Sequence, residues 1–292
     1  MHIGVVVNCH VLPITKSLSN LAGVDSVFSV PIHLYGRPPF IDAAENFERL
    51  AQKPETVILS FQNGKAFGAY EIKTLRERVQ PLYTLTNVNF SGLQPDIIYL
   101  GDQAGRIQSP IGDYHSKLII HSFIQGLSPD QCQKRFNAKE FERLGLFRAY
   151  DVSKAELLRR DAELDIRFAK MFFELVNEVP CLYTINHPTP AVFQEFSSFI
   201  ADFLGLTKIL IPYEMLPNYL ASSSWWPIYE PIREFHQLKY ETPMLFKQPE
   251  SLGGRFMGME EFIARSYAIY NQIPVRIANA RQVVSLLSDW PI

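Results

Sequence analysis

Three polar residues, Asn8, Cys9 and His10, follow a short apolar run at residues 3–7. A thiol between such a run and a helix start is exposed to the positive end of the helix dipole, which lowers its pKa and favours the thiolate. We therefore predict that Cys9 is a nucleophile. The alternative is that Cys9 is a small buried apolar residue, which is common for free cysteine.

A base for the thiol is predicted at His187, which follows a second apolar run at residues 181–185. A neutral imidazole can take the thiol proton, and Asn186 can orient that ring or donate a hydrogen bond to an oxyanion. His10 is the second candidate for the base. The alternative is that residues 186–189 cap the following helix.

Polar side chains follow four apolar runs in this sequence, and the positions are Asn8-Cys9-His10, Gly101-Asp102-Gln103, His121-Ser122 and Asn186-His187. Alternating strands and helices favour a parallel sheet, in which the carboxyl ends of the strands share one edge and bind ligands there. We therefore predict that Asn8 and Gln103 donate to an oxyanion, and that His121 and Asn186 contact substrate.

Aromatic and glycine-rich segments offer weaker signals for binding. Trp225 and Trp226 are predicted to stack on a sugar or an adenine, although buried aromatic residues in an irregular segment are the commoner case. Arg255, after two glycines, is predicted to contact a cofactor phosphate. The histidines show no metal-ligand spacing, so no metal site is predicted.

The predicted fold class is α/β, a mainly parallel sheet flanked by helices with a helical C-terminal part. An Asn-Gly turn within residues 56–72 predicts an antiparallel hairpin, and hence an insertion at about 34–90. We expect a single domain over residues 1–292, with an irregular aromatic-rich segment at about 212–256. Strands are predicted at 3–7, 27–33, 97–100, 118–120 and 181–185, and helices at about 12–22, 153–177, 190–204 and 260–271.

Charge and cysteine content limit the partners and the compartment. The formal net charge of −2 gives no broad basic field for nucleic acid or anionic membranes, so a small-molecule partner fits better. No apolar run has the length of a membrane span or the features of a signal peptide. Cys132 and Cys181 are expected to be structural, and three scattered cysteines indicate a reducing, cytoplasmic compartment.

Five segments of the sequence form a pattern through their order and spacing. They are Val5-Val6-Val7-Asn8-Cys9, Pro95-Asp96-Ile97-Ile98, Gln103, residues 123–129 and Tyr183-Thr184-Ile185-Asn186-His187-Pro188-Thr189. Together they resemble the WcbI family of polysaccharide-biosynthesis acetyltransferases, and the resemblance covers about residues 1–30 and 95–210. The sequence departs from the family pattern at Val7, where glycine is usual, and at His10, where glutamine is usual.

The resemblance implies an enzyme that binds coenzyme A and moves an acetyl group onto a sugar hydroxyl of a capsular or other surface polysaccharide precursor. It also implies an SGNH-hydrolase-like sheet, with Cys9 where those enzymes place serine. Two rival functions stay open, namely a thiol-dependent esterase that uses the same residues, and a non-catalytic carbohydrate- or nucleotide-binding module.

Overall fold

The computed structural model describes residues 1–208 and 211–290. The strands in chain order are β1 (His2–Val7), β2 (Ser26–Pro31), β3 (Thr56–Ser60), β4 (Leu82–Thr84), β5 (Ile97–Tyr99), β6 (Gly101–Asp102), β7 (Gly105–Arg106), β8 (Tyr114–Ser116), β9 (Leu182–Thr184), β10 (His187–Pro188), β11 (Phe246–Lys247) and β12 (Phe256–Met257). The helices are α1 (Val11–Ser19), α2 (Pro38–Leu50), α3 (Ile72–Arg78), α4 (Lys117–Ile124), α5 (Pro129–Gln133), α6 (Ala138–Arg143), α7 (Arg148–Asp161), α8 (Ala169–Leu175), α9 (Pro190–Leu204), α10 (Glu230–Phe235), α11 (Met259–Gln272), α12 (Pro274–Asn279) and α13 (Arg281–Asp289).

The chain divides into two compact units, each built from three separate segments. The first unit comprises Met1–Val88, Glu156–Cys181 and His187–Leu220. The second unit comprises Asn89–Ala155, Leu182–Asn186 and Ala221–Ile292. The boundary between two of these segments therefore falls between Asn186 and His187.

The first unit contains a parallel four-stranded sheet with the strand order β2-β1-β3-β4. β1 lies inside the sheet, and its apolar run is buried, as expected for a strand covered on both faces. Helices α1 and α2 pack against β2, and α9 packs against α1. These features confirm the predicted α/β class with a parallel sheet flanked by helices.

The predicted antiparallel insertion at 34–90 is wrong. β3 and β4 pair in parallel within the main sheet, and Lys65–Tyr70 forms a 3₁₀ helix instead of a return strand. A tight hairpin through Asn63-Gly64 would need positive φ at both residues, but Gly64 has a φ of −86°. The Asn63 carbonyl instead accepts a hydrogen bond from the backbone N–H of Ile72, at the start of α3.

The predicted strand at 118–120 is also wrong, because these residues lie in α4. The Ser116 hydroxyl caps this helix by accepting a hydrogen bond from the backbone N–H of Ile119 at 3.1 Å. All three predicted strand residues are fully buried, so the run is apolar all round and shows no helical period. A short apolar run of this kind fits a buried strand and a buried helix equally well.

The predicted long helix at 153–177 is two helices, α7 and α8. Ser153, predicted to begin it, lies inside α7, where its hydroxyl accepts a hydrogen bond from the backbone N–H of Ser91 at 2.9 Å. The predicted helices at about 190–204 and 260–271 are confirmed as α9 and α11. Gly205 ends α9 in the left-handed conformation, with a φ of 67°.

The second unit combines short antiparallel pairs with helices. β5 pairs antiparallel with β8, and β6 with β7, so Gly101-Asp102-Gln103 does not follow a strand of the parallel sheet. Within this unit α4 contacts α5, α11 and α13. Across residues 1–208 and 211–290, no helix combines the length and apolarity needed to cross a membrane. The same residues contain no group of three or more His, Cys, Asp or Glu side chains placed to hold a metal ion.

Candidate active site

A tight turn connects β1 to α1 and contains Cys9. The Asn8 carbonyl accepts a hydrogen bond from the backbone N–H of Val11 at 3.1 Å. The Asn8 side-chain oxygen Oδ1 accepts a second hydrogen bond from the backbone N–H of His10, also at 3.1 Å. Because Oδ1 is held by a backbone donor, the NH₂ group is the end of the Asn8 amide that can donate to a ligand. Cys9 therefore lies between strand and helix, as predicted.

The expected lowering of the Cys9 pKa is wrong in sign. Burial raises the pKa of the Cys9 thiol to about 11, and a hydrogen bond to its own backbone offsets only part of this increase. Removing the thiolate from water is therefore the main influence on this pKa. At neutral pH Cys9 is a thiol, so nucleophilic chemistry at this residue requires a base.

Both predicted candidates for the base, His10 and His187, lie in the same unit as Cys9. His10 is 2% exposed and packs edge-on against Phe61 and Phe193, with ring centroids 5.7 and 5.6 Å away. His187 is half-buried, and its pKa is lowered to about 4, chiefly by burial and secondarily by the positive charge that His10 can carry. At pH 7 His187 is therefore neutral and able to accept a proton.

Polar side chains follow each of the four parallel strands. Asn8 follows β1, His33 follows β2, Asn63 follows β3 and Asn87 follows β4. All four line one cavity of about 430 Å³. Since the carboxyl ends of parallel strands meet at one edge, this is the expected place for a ligand in such a sheet. The cavity also has apolar walls, formed by Ile32, Phe61, Phe67, Leu85, Leu157 and Leu164.

Asn63 is the most buried of these four side chains, at 8% exposure. Its Nδ2 donates a hydrogen bond to Ser60 Oγ at 3.3 Å. Sequence reasoning missed Asn63 because Asn-Gly was interpreted as a hairpin turn. The apolar run immediately before it was the available signal, since the same pattern identified Asn8.

His33 and Asn87 were also missed. His33 is exposed, and its ring forms a hydrogen bond with the Asn8 backbone, while desolvation is the main cause of its lowered pKa. At the same cavity, Asp161 accepts hydrogen bonds from the Thr86 hydroxyl and from the backbone N–H of Ala169. These bonds tie the end of α7 to the segment after β4.

The remaining predicted site residues belong to the second unit. Asn186 Oδ1 accepts hydrogen bonds from the Tyr114 hydroxyl at 2.8 Å and from the Thr184 hydroxyl at 3.2 Å. Gln103 is exposed in the turn between β6 and β7. Gln103 thus occupies a hairpin instead of the predicted edge of the parallel sheet.

His121 lies in α4 and is fully buried, so its predicted position after a strand is wrong. Its Nδ1 faces Arg135 Nη1 at 3.0 Å, and its Nε2 lies 2.8 Å from the Trp290 carbonyl. A guanidinium can only donate, so Nδ1 is the acceptor and Nε2–H donates to the carbonyl. Both ring nitrogens of His121 therefore take part in internal hydrogen bonds.

The two tryptophans differ in their surroundings. Trp226 is 3% exposed and packs edge-on against Phe246 and Phe262, as a core residue does. Trp225 is half-buried, stacks on Tyr183 with ring centroids 4.7 Å apart, and donates from Nε1 to the Ala221 carbonyl at 3.0 Å. Arg255 is exposed and forms an ion pair with Glu261 at 2.8 Å.

Comparison with known proteins decides the family. The family described as "Polysaccharide biosynthesis enzyme WcbI" matches residues 2–208. The chain belongs to the WcbI family. The resemblance predicted from the sequence is thereby confirmed, and the matched range includes Asn8, Cys9, His10 and His187. No curated protein matches the sequence.

A solved structure of WcbI is similar to this chain along its whole length. The TM-score is 0.66 at 16% sequence identity, and the similarity covers 100% of this chain and 99% of that one. That protein is described as a novel polysaccharide biosynthesis enzyme, in a native form without a disulfide bond between coenzyme A and one of its cysteines. At this identity, the likeness shows that the WcbI-family chain shares the fold.

Proposed function

We propose that this WcbI-family protein is a cytoplasmic, coenzyme A-dependent acyltransferase, an O-acetyltransferase acting on a sugar of a capsular or other surface polysaccharide precursor. The observation that carries the proposal is that the Cys9 thiol and the neutral His187 imidazole lie in one unit, and that Asn8, directly before Cys9, lines the polar cavity at the sheet edge. The description of the related WcbI structure, which names coenzyme A and a cysteine together, supports the choice of donor.

In the first half-reaction, Cys9 Sγ attacks the carbonyl carbon of acetyl-coenzyme A while its proton passes to His187. The carbon–sulfur bond to coenzyme A then breaks, and His187 returns the proton to the departing thiolate. One thioester replaces another, so this step has a small free-energy change. The product is an acetyl group on Cys9.

In the second half-reaction, His187 accepts the proton of a sugar hydroxyl, and the hydroxyl oxygen attacks the acetyl carbon. The bond to Cys9 Sγ breaks, and the proton passes from His187 to the sulfur. The Asn8 NH₂ group is the proposed donor to the oxyanion of both tetrahedral intermediates. Asn63 and Asn87 are proposed to bind hydroxyl groups of the sugar, because amides both donate and accept. We also propose that the sheet is SGNH-hydrolase-like, with Cys9 in the serine position.

The test is incubation with acetyl-coenzyme A, with and without acceptor sugars, followed by thiol release assays and peptide mass spectrometry. We expect an acetylated Cys9 peptide and faster coenzyme A release when an acceptor is present. Cys9→Ala should abolish both signals, whereas the control Cys132→Ala should keep them. Release that does not depend on any sugar would favour the esterase function. Sugar or nucleotide binding without turnover would favour the binding module.

A further inference from the structure

The second unit contains a cavity of about 540 Å³, a size typical of small-molecule sites. It is formed by the segment before and within β5, the first residue of α4, the residues between α6 and α7, and one face of α13. Its residues of interest here are Lys117, Arg281, Gln282, Ser285, Asp289 and Trp290. None of them is used in the proposed acyl transfer.

Two cationic side chains line this cavity. Lys117 Nζ donates a hydrogen bond to the Pro95 carbonyl at 2.9 Å, and the charges of Asp96 and, secondarily, Asp289 act on the ammonium group. Arg281 is exposed at the start of α13, and within residues 1–208 and 211–290 it forms no hydrogen bond or ion pair. The guanidinium is therefore available for an anionic group, which it can bind through two parallel hydrogen bonds.

The uncharged residues of this cavity include a side chain that lacks a hydrogen-bond donor. Gln282 Oε1 is buried and has no hydrogen-bond partner among the described residues. A buried carbonyl oxygen without a donor is costly, and because Gln282 lines the cavity, rotation of its side-chain amide would bring this oxygen to a ligand hydroxyl. Trp290 and Leu286 supply apolar surface beside these polar groups.

We propose that this cavity is a second ligand site, which binds a monosaccharide carrying a phosphate or carboxylate group. The anionic group pairs with Arg281 and Lys117, a sugar hydroxyl donates to Gln282 Oε1, and the apolar face of the ring packs against Trp290 and Leu286. Neutral sugars lack the charge that Arg281 requires, and inorganic phosphate lacks the ring that fills the apolar wall. The inference is independent of the acyl-transfer chemistry proposed for the first unit.

Calorimetric titration of the full chain with glucose 1-phosphate, glucuronate, glucose and inorganic phosphate tests the proposal. We expect submillimolar binding of at least one anionic sugar. The difference in affinity between glucose 1-phosphate and glucuronate shows whether the site prefers a phosphate or a carboxylate group. Arg281→Ala should weaken this binding at least about tenfold, the usual scale for losing a charge-assisted hydrogen bond. Arg265→Ala, which removes the same charge from an exposed residue of α11, should bind as the wild type does.

A second variant, Gln282→Leu, keeps the side-chain volume and removes the buried acceptor. This variant should weaken the binding of the anionic sugar and leave any binding of inorganic phosphate unchanged. The proposal is overturned if neither anionic sugar binds, or if glucose or inorganic phosphate binds as tightly as the anionic sugars. It is equally overturned if Arg281→Ala, shown by circular dichroism to be folded, binds with wild-type affinity.

Discussion

The side-chain oxygen of Asn8 accepts a hydrogen bond from the backbone N–H of His10 at 3.1 Å, and Cys9 lies between the two. The position of the thiol therefore depends on the amide of its neighbour as well as on β1. Asn8 also lines the cavity at the edge of the sheet, and its NH₂ group is the end of the amide that remains to donate. One side chain thus has a conformational role and a proposed chemical role, and substitution can separate them.

Asn8→Asp keeps the acceptor for His10 but removes the NH₂ donor, whereas Asn8→Ala removes both. We expect the aspartate variant to retain near wild-type thermal stability and to lose acyl transfer by about 10²–10³-fold, the usual range for a lost oxyanion donor. The alanine variant should lose activity and also some stability, because the turn loses a hydrogen bond. Steady-state kinetics and thermal unfolding of both variants check this. Full activity of Asn8→Asp would exclude the donor role.

Alkylation of Cys9 by iodoacetamide should rise steeply with pH. Since burial raises the pKa of this thiol to about 11, the thiolate fraction grows about tenfold per pH unit through the neutral range. Labelling at pH 9.5 should therefore be about 100-fold faster than at pH 7.5. Cys9 should still label before Cys132 and Cys181, which are buried in the described fold. A rate that is already maximal near pH 7 would show a stabilised thiolate instead.

His187→Ala should lower acyl transfer by about 10²–10⁴-fold, the usual effect of losing a general base, with little change in coenzyme A affinity. The wild-type rate should fall only as pH drops through about 4, because burial holds the His187 pKa there and protonation removes the base. Kinetics across pH and calorimetry with coenzyme A measure both effects. His2→Gln, at the start of β1, is the control for losing a histidine. An acidic limit near 6.5 would point to a different group.

Stability should depend on pH through Asp96, which is fully buried and accepts hydrogen bonds from Ser116 and Tyr229. Burial raises its pKa from the ordinary 3.8 to about 6, so the folded state binds the proton more tightly. Ionisation therefore destabilises the fold above pH 6, by about 3 kcal/mol, and the penalty disappears as pH falls toward 3.8.

Comparison of wild type with Asp96→Asn isolates this contribution, because buried His115, with its pKa lowered to about 4, acts in the opposite direction in both proteins. The unfolding free energy of the asparagine variant should therefore gain on that of wild type by about 3 kcal/mol as pH rises from 4 to 6. Chemical denaturation at several pH values measures it. Asp42→Asn, an exposed residue of α2, should leave the profile unchanged. Identical profiles for Asp96→Asn and wild type would contradict the assignment.

Two glycines provide a matched test of backbone strain. Gly205 has a φ of 67° at the end of α9, and Gly64 has a φ of −86°; neither would place a new Cβ within 4 Å of another atom. Gly205→Ala should lower the unfolding free energy by about 1 kcal/mol, because alanine resists the left-handed region. Gly64→Ala should be neutral or slightly stabilising. Equal effects in urea denaturation would argue against the strain at Gly205.

The sequence predicts the position of a strand or helix wherever the residues at its ends mark the boundary. β1 ends at the change from apolar to polar residues after Val7, and α9 has a proline in its first turn and Gly205 at its end. These features placed Cys9 and His187 after strands without knowledge of the fold. Such signals can be found in the sequence because each depends only on a few neighbouring residues.

Other features depended on distant partners and could not be predicted. The run at 118–120 is helical because Ser116 caps it and other helices bury it. The Cys9 pKa depends chiefly on burial, which is a property of the folded chain and not of the residues next to Cys9 alone. Asn63 enters the site because β3 pairs in parallel with β1, and pairing direction is not encoded in either strand alone.

The interleaving of the two units has a kinetic consequence. The first unit includes His187–Leu220, which contains α9. Helix α9 packs against α1, which precedes it in the chain by more than half of the sequence. During synthesis α1 therefore emerges long before α9, and the surface of α1 that α9 covers stays exposed until α9 follows. Contacts closed over so long a loop are slow to form. Refolding of this protein is therefore expected to be slow, because α9 must find α1 across this long separation in the chain.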